Sequence, residues 1–285
     1  MKMENRRTFL KKSLAGATAM ALLPQALQAA RIKTQGVQLY TVRSDMEKDP
    51  TATLQKVAAI GYKEVELAGY REGKFYGKTP AEFKKLLDDN GLKAISGHVS
   101  TAVLKNGLNE MIEASAAIGQ KFIVCPFTAP QERKNLDDFK TLVELFSKTG
   151  EACKKAGIPF AYHNHAFEFD LVEGQTLFDY LLQNIPNDLM TMEMDIFWTV
   201  KAGQDPVAYF EKYPNRFALW HVKDMDKTEK KEFTEVGQGV IDFKKIFQNA
   251  GKAGMKHFFV EQDVCKRPPL ESIKMSFDYL KKLKY

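Results

Sequence analysis

The chain has 285 residues, 44% of them hydrophobic and 27% charged, a balance that fits one large α/β domain and excludes a disordered chain. The formal charge is +6, but residues 1–30 hold five Lys or Arg against one acid, which leaves +2 for the remainder and gives a nucleic-acid partner little support. Three scattered cysteines, Cys125, Cys153 and Cys265, make no disulfide framework; Cys125 and Cys153 read as core thiols.

Residues 1–30 read as an export signal. Arg6-Arg7-Thr8-Phe9-Leu10-Lys11 is a positive start, Ser13 to Leu23 is a short apolar run rich in Ala, Gly and Thr, and Pro24 ends it. The adjacent arginines resemble a twin-arginine signal, which moves folded proteins. The run is too short to span a membrane comfortably. The expectation is a periplasmic protein with no stable membrane association once the signal is removed. Leu27-Gln28-Ala29-Ala30 lacks a small residue three before Ala30, so the cleavage point stays open, and a retained N-terminus is the competing reading.

From residue 31 onward one phrase recurs: a helical stretch, a glycine, then a short β-rich run. It appears as AAIGYKEVELA, DDNGLKAISGHV, AAIGQKFIVCPF, KKAGIPFAYHNH and KAGMKHFFVEQD, and with proline in place of glycine as LLQNIPNDLMTMEMD and EKYPNRFALWHVKD. The glycine ends a helix in the left-handed conformation. The run after it is a parallel strand, apolar on both faces. Strands are expected near 36–42, 63–68, 92–98, 121–127, 158–163, 189–195, 216–222 and 257–262. Helices are expected over 51–60, 80–90, 108–118, 136–156, 177–185, 206–213, 243–253 and 270–283, the first opened by the cap and first-turn pair Asp49-Pro50. Eight strand–helix units make residues 31–285 a single (β/α)8 barrel. A doubly wound open sheet ranks lower, because no glycine-rich phosphate loop follows the first strand.

In such a barrel, chemistry sits at the C-terminal strand ends. His98, His163, His165 and His221 all fall there, whereas His257 opens the eighth strand and reads as structural. His163, Asp195, His221 and Glu261 end strands five to eight with gaps of 32, 26 and 40 residues. Two imidazoles and two carboxylates converging at one point would hold a divalent cation. Each lies beside apolar residues, where an unpartnered charge is costly and a cation offsets the cost. The competing reading is a set of separately paired core groups.

MDIFW, WHVKD and VEQD, within this order of eight units, resemble the xylose-isomerase-like barrel superfamily over essentially all of residues 33–285. That group includes sugar isomerases, ketose 3-epimerases, inosose dehydratase and 3-keto-glycoside-cleaving lyases. The resemblance implies Asp195, His221 and Glu261 as ligands of one divalent ion, commonly manganese, with zinc, cobalt or magnesium as alternatives. It also implies polarisation of a keto-sugar carbonyl, with a small carbohydrate as partner. One departure stands out. Isomerases and epimerases of the group carry a glutamate at the end of strand five, and here that position reads Tyr162-His163-Asn164-His165, which looks more like inosose dehydratase. Either His163 ligates and His165 is the base, or the reverse. An imidazole acid could protonate a departing oxygen, which tilts the expectation toward β-elimination over isomerisation.

Lys223, two residues past His221, shares its direction and could hold a substrate oxygen; a salt bridge to Asp224 or Glu193 competes with that role. Glu193 is a candidate support for a ligand and Trp198 a candidate apolar face for a sugar ring. Gln38, Tyr40, Glu66 and His98 end strands one to three as candidates for hydroxyl recognition. A DNA-repair endonuclease of the same superfamily needs more ligands than these. A non-catalytic carbohydrate-binding barrel remains the alternative from another class. A homo-oligomer is neither required nor excluded.

Overall fold

A computed structural model describes residues 34–285; the expected export signal lies outside the described residues. Each expected strand forms. They are β1 (Gly36–Gln38), β2 (Glu64–Leu67), β3 (Lys93–Gly97), β4 (Ile123–Cys125), β5 (Phe160–His163), β6 (Met190–Asp195), β7 (Leu219–Val222) and β8 (His257–Val260). All pair in parallel, in the order β3-β2-β1-β8-β7-β6-β5-β4. The two ends of this order meet: His98 bridges Val124 in parallel, and the Val99 amide donates to the Val124 carbonyl at 2.8 Å. The sheet thus curls into a near-closed barrel, joined at this seam by a bridge rather than a full ladder.

One principal helix follows each strand: α1 (Pro50–Ile60), α2 (Pro80–Asp89), α3 (Leu108–Ile118), α4 (Leu136–Lys155), α5 (Leu177–Asn184), α6 (Pro206–Lys212), α7 (Phe243–Gln248) and α8 (Pro269–Lys282). Their starts are encoded locally. Asp49 Oδ1 accepts from the Ala52 amide at 3.0 Å, Thr79 and Glu82 form a capping box, and Asn135 caps α4. The expected 243–253 helix breaks after Gln248, where the Asn249 side chain donates to the Lys245 carbonyl and ends the first segment; a short turn, Ala250–Ala253, follows.

Strand alternation separates two apolar layers. Outward residues such as Tyr162, Met192, Trp220 and Val260 join the large cluster beneath the helices, where Trp220 stacks on Phe210 with centroids 5.0 Å apart. Ile95, Val124, Ala161, Leu219 and Phe259 form a smaller cluster inside the barrel. Gly36 makes room for it: a Cβ there would lie 2.5 Å from the Phe259 ring. Ala161, Leu219 and Phe259 each precede by two residues His163, His221 and Glu261. The same inward face therefore carries an apolar floor with a polar layer directly above it.

The rim differs from expectation. β1 stops at Gln38 because Leu39–Val42 winds into a 3-10 turn, with the Gln38 side chain accepting from the Tyr40 amide. Tyr40 moves off the strand and is 41% exposed. β4 stops before Pro126, which cannot donate to a ladder. Three hairpins absent from the expectation rise from the loops after β2, β5 and β7: Tyr70–Arg71 with Lys74–Phe75, Leu171–Val172 with Gln175–Thr176, and Asp224–Met225 with Phe233–Thr234.

Candidate metal centre

Strand register brings the four strand-end groups together. Asp195 lies opposite His221, and Glu193 opposite His163, while Glu261 follows the last residue of β8. His163, Asp195, His221 and Glu261 are all at most 5% exposed. His221 is the hub. Its Nδ1 lies 2.8 Å from Glu261 Oε2 and 3.8 Å from Asp195 Oδ2. Its Nε2 contacts Glu66 Oε2 and lies 3.2 Å from Glu193 Oε2. Two donor sets result, each with its atoms within 4.8 Å of one another: Asp195, His221 and Glu261, and His98, His163, Glu193 and His221. His163 joins the two, with Nδ1 3.2 Å from Glu193 Oε2 and Nε2 3.8 Å from Asp195 Oδ2.

The Asp195, His221 and Glu261 set fits a divalent ion. It offers oxygen and imidazole donors from three adjacent strands. His163 Nδ1 is buried and makes no well-formed hydrogen bond, and such atoms need a partner. Asp195 Oδ2 has the Lys223 ammonium beside it at 2.8 Å, a cation answering the charge that a metal would also answer. Behind His221, Glu66 Oε2 faces Nε2, the carboxylate–imidazole pairing that fixes the tautomer of a ligating histidine. Glu66 is held in turn by the Gln38 amide at 2.9 Å.

The electrostatics follow from crowding. Burial opposes charge on His221, yet Glu193, Glu261 and Glu66 hold it well above its ordinary range. Burial likewise opposes charge on His98, but Glu66 and Glu193 raise it to about 9. Glu261 resists the upward push of burial and lies low because Lys223 and His221 stand beside it. Asp195 is pushed up to about 6 by burial, against the pull of Lys223 and His221. Burial and the neighbouring His221 press His163 well below its usual range, and burial with Lys223 presses His165 to about 3. Both imidazoles are therefore neutral, the form that binds a metal, and both are weaker bases than a free histidine until nearby charge changes.

Lys223 does not pair with Asp224 or Glu193, as the sequence alone suggested. Asp224 is taken up by the amides of Gly237, Gly239 and Ile241. Lys223 Nζ lies 2.8 Å from Asp195 Oδ2, 2.6 Å from Glu261 Oε2 and 2.9 Å from Asp263 Oδ2.

A cavity of about 600 Å³ opens over this layer, lined among others by Tyr40, His98, His163, His165, Glu261 and Asp263. Gln38, Glu66 and Glu193 do not reach it. They are fully buried: Gln38 donates to Glu66, and Glu66 and Glu193 face imidazoles rather than the open mouth. Trp198 does not line it either; its ring lies 5.6 Å from that of His165. The structure also separates the two strand-five histidines. His163 sits among the donors, whereas His165 lies past the strand end, its ring parallel to Phe167. His165 is seated by Glu168, which accepts from its backbone amide at 2.7 Å and from the Tyr162 hydroxyl at 2.7 Å. Asp263 and Glu168 escaped the sequence reading. Asp263 was within reach, lying two residues past Glu261 as Lys223 lies past His221. Glu168 had no comparable signal, since it follows no strand.

A family model for the xylose isomerase-like TIM barrel matches residues 54–283, and the chain belongs to that family. The inosose dehydratase of Lacticaseibacillus casei is 26% identical over 260 residues, covering 76% of this chain and 86% of that protein. A crystal structure of a sugar phosphate isomerase/epimerase from Parabacteroides distasonis ATCC 8503 is 30% identical with a TM-score of 0.79, covering 88% of this chain and 99% of its own. The IOLI protein, solved with a zinc atom, gives a TM-score of 0.68 at 12% identity over 86% of this chain and 95% of that one. At that identity the likeness is one of fold.

Proposed function

We propose that the chain is a divalent-metal-dependent enzyme that removes a proton beside the carbonyl of a keto-sugar or keto-glycoside and expels an oxygen from the next carbon. The observation that carries this reading is the division of labour on strand five. His163 lies beside the Asp195, His221 and Glu261 donor set, its Nε2 3.8 Å from Asp195 Oδ2, and a neutral His165 faces the cavity above it. Those four residues would hold the ion, for which manganese is our assignment and zinc the alternative. When bound, it would polarise the keto oxygen and stabilise the negative charge that develops there.

The chain's own groups supply the rest. His165 takes the proton from the carbon beside the ketone. The C–H electron pair becomes a carbon–carbon double bond as the C–O bond one carbon further breaks. The departing oxygen keeps that bond's electrons and receives a proton from a cavity acid, giving an unsaturated ketone and water or an alcohol. Glu261 lines the cavity and is kept ionised, against burial, by Lys223 and His221, so it can take up a proton but does not supply one. His98, which lines the same cavity and is raised against burial to about 9 by Glu66 and Glu193, is the group that carries a proton there. The dehydratase name of the Lacticaseibacillus casei relative supports elimination. The isomerase/epimerase name of the Parabacteroides distasonis neighbour supports a second reading, in which the proton returns and no oxygen leaves.

Incubating metal-loaded protein with 3-keto-glucosides and with free ketoses in heavy water separates the two. Release of the alcohol identifies the lyase; deuterium at one carbon without release identifies the isomerase or epimerase. No exchange with either class, with metal loading verified, removes the enzyme reading and leaves a carbohydrate-binding barrel.

A further inference from the structure

A second cavity, of about 510 Å³, adjoins the first, and Tyr40, Ala68 and Tyr70 line both. It lies between the turn after β1 and the hairpin after β2, on the rim that carries the candidate chemistry. Its floor is constructed rather than incidental. Tyr76 sits at a left-handed φ of 50°, a conformation a tyrosine adopts only when its surroundings hold it there. Three contacts do so. The Ala68 amide donates to its hydroxyl at 2.9 Å, its own amide donates to the Gly69 carbonyl at 2.9 Å, and Gly69 leaves room for its ring, which a Cβ would meet at 2.4 Å. The Tyr40 wall is fixed as well. Arg43 lies 4.2 Å over its ring and donates to the carbonyls of Tyr40 at 2.9 Å and Asp263 at 3.1 Å, which ties this wall to the residue beside Lys223. Glu47, also lining the cavity, is exposed.

We infer that this second cavity holds a second sugar ring, the leaving half of a glycoside whose keto-bearing half lies over the metal centre. This rests on the proposed function for the direction of the bond that breaks. The recognition itself is physical. Tyrosine rings offer apolar faces to the C–H face of a pyranose, and an exposed carboxylate with a fixed guanidinium offers acceptor and donor groups to its hydroxyls. A wholly apolar aglycone would make no use of the Glu47 carboxylate or of the guanidinium hydrogens that Arg43 does not spend on its two carbonyls. A free monosaccharide would leave the second cavity unfilled although it is continuous with the first.

The test uses binding first, so that it does not depend on turnover. Calorimetry of the metal-loaded protein with glucose, cellobiose, maltose and phenyl β-glucoside offers one ring, two rings in either linkage, and an apolar second group. The expectation is that one disaccharide binds about tenfold or more tightly than glucose, and that this margin collapses in both Tyr70→Ala and Glu47→Ala. Two variants on different walls guard against a fold defect in either. Equal affinities, no binding of any probe, a margin unchanged in both variants, or tightest binding of phenyl β-glucoside would each overturn the inference. The same comparison in kcat/KM with 3-keto-cellobiose, 3-keto-maltose and 3-keto-glucose then tests the chemistry separately. Disaccharide binding without turnover would sink the lyase reading and leave the second-ring site standing.

Discussion

Lys223 occupies the place between Asp195 and Glu261 where charge is most needed, with its ammonium within 2.9 Å of three carboxylates while only 1% exposed. Removing one partner of a buried ion pair leaves the others uncompensated, at a cost of about 3–5 kcal/mol. Lys223→Met should therefore destabilise the metal-free protein by about that amount. A divalent ion, which answers the same carboxylates, should restore much of it. Denaturant unfolding with chelator and with manganese measures both arms; an equal loss in each would show that metal and ammonium serve different groups. Glu261→Gln removes a ligand charge and a proton-handling group together. It should lower turnover by at least about a hundredfold and reduce bound metal in atomic absorption. Wild-type rates would contradict both roles. At this scale His163, Asp195, His221 and Glu261 were legible because each closes an apolar run at one strand–helix interval. Glu193 was legible too, as an inward support for a ligand, but the capture of Gln38 by Glu66 and of Glu66 by His98 and His221 was not. Strand ends show which side chains enter the mouth, but not which of them are consumed by neighbouring imidazoles before any substrate arrives.

The segment after β5 shows what an element adds. Phe167–Phe169 forms a single 3-10 turn that buries Glu168 completely and aims its carboxylate at the Tyr162 hydroxyl and the His165 amide. Burial pushes Glu168 up to about 8, despite the hydrogen bond from Tyr162. The folded chain thus keeps a proton that the unfolded chain, near 4.5, releases. Unfolding between those values sheds a proton, so stability falls as pH rises, by at most about 1.4 kcal/mol per pH unit. Glu168→Gln cannot ionise. Its carbonyl can accept from His165 while its amide donates to the Tyr162 oxygen, whose hydroxyl then turns to Thr128, 3.3 Å away. The variant should gain on wild type steadily from about pH 5 to about pH 8; parallel melting curves across that range would refute the buried proton. Helix packing makes a second element-scale prediction. Gly150 lets α4 approach the backbone that leads into β6, for a Cβ there would lie 2.2 Å from the Leu189 carbonyl oxygen. Gly150→Ala should cost about 1–3 kcal/mol in chemical denaturation, despite alanine's better helix propensity.

The whole barrel was readable from a repeat, because every unit spends its hydrophobicity the same way: a strand apolar on both faces, then a helix apolar on one. The hairpins that shape the mouth carry no such period, and their short paired segments, two residues to a strand, give periodicity nothing to detect. Residues 1–30 follow neither pattern, and we propose that their positive start and weak apolar run serve transport. A donor set recruited from four different strands exists only once the barrel has closed, so the metal we propose for it would be acquired in the folded state. A twin-arginine route, which carries folded proteins, would let the chain cross already loaded. We propose that order of events, and with it a periplasmic location. Changing Arg6 and Arg7 together to lysine preserves the charge of the segment and alters only the paired guanidinium groups. If the route is the twin-arginine one, the doubly substituted protein should accumulate inside the cell, folded and metal-bound, while the native chain is recovered from the periplasm. Export at native levels after the change, or native protein recovered only from the cytoplasm, would break the link between the leader and the site.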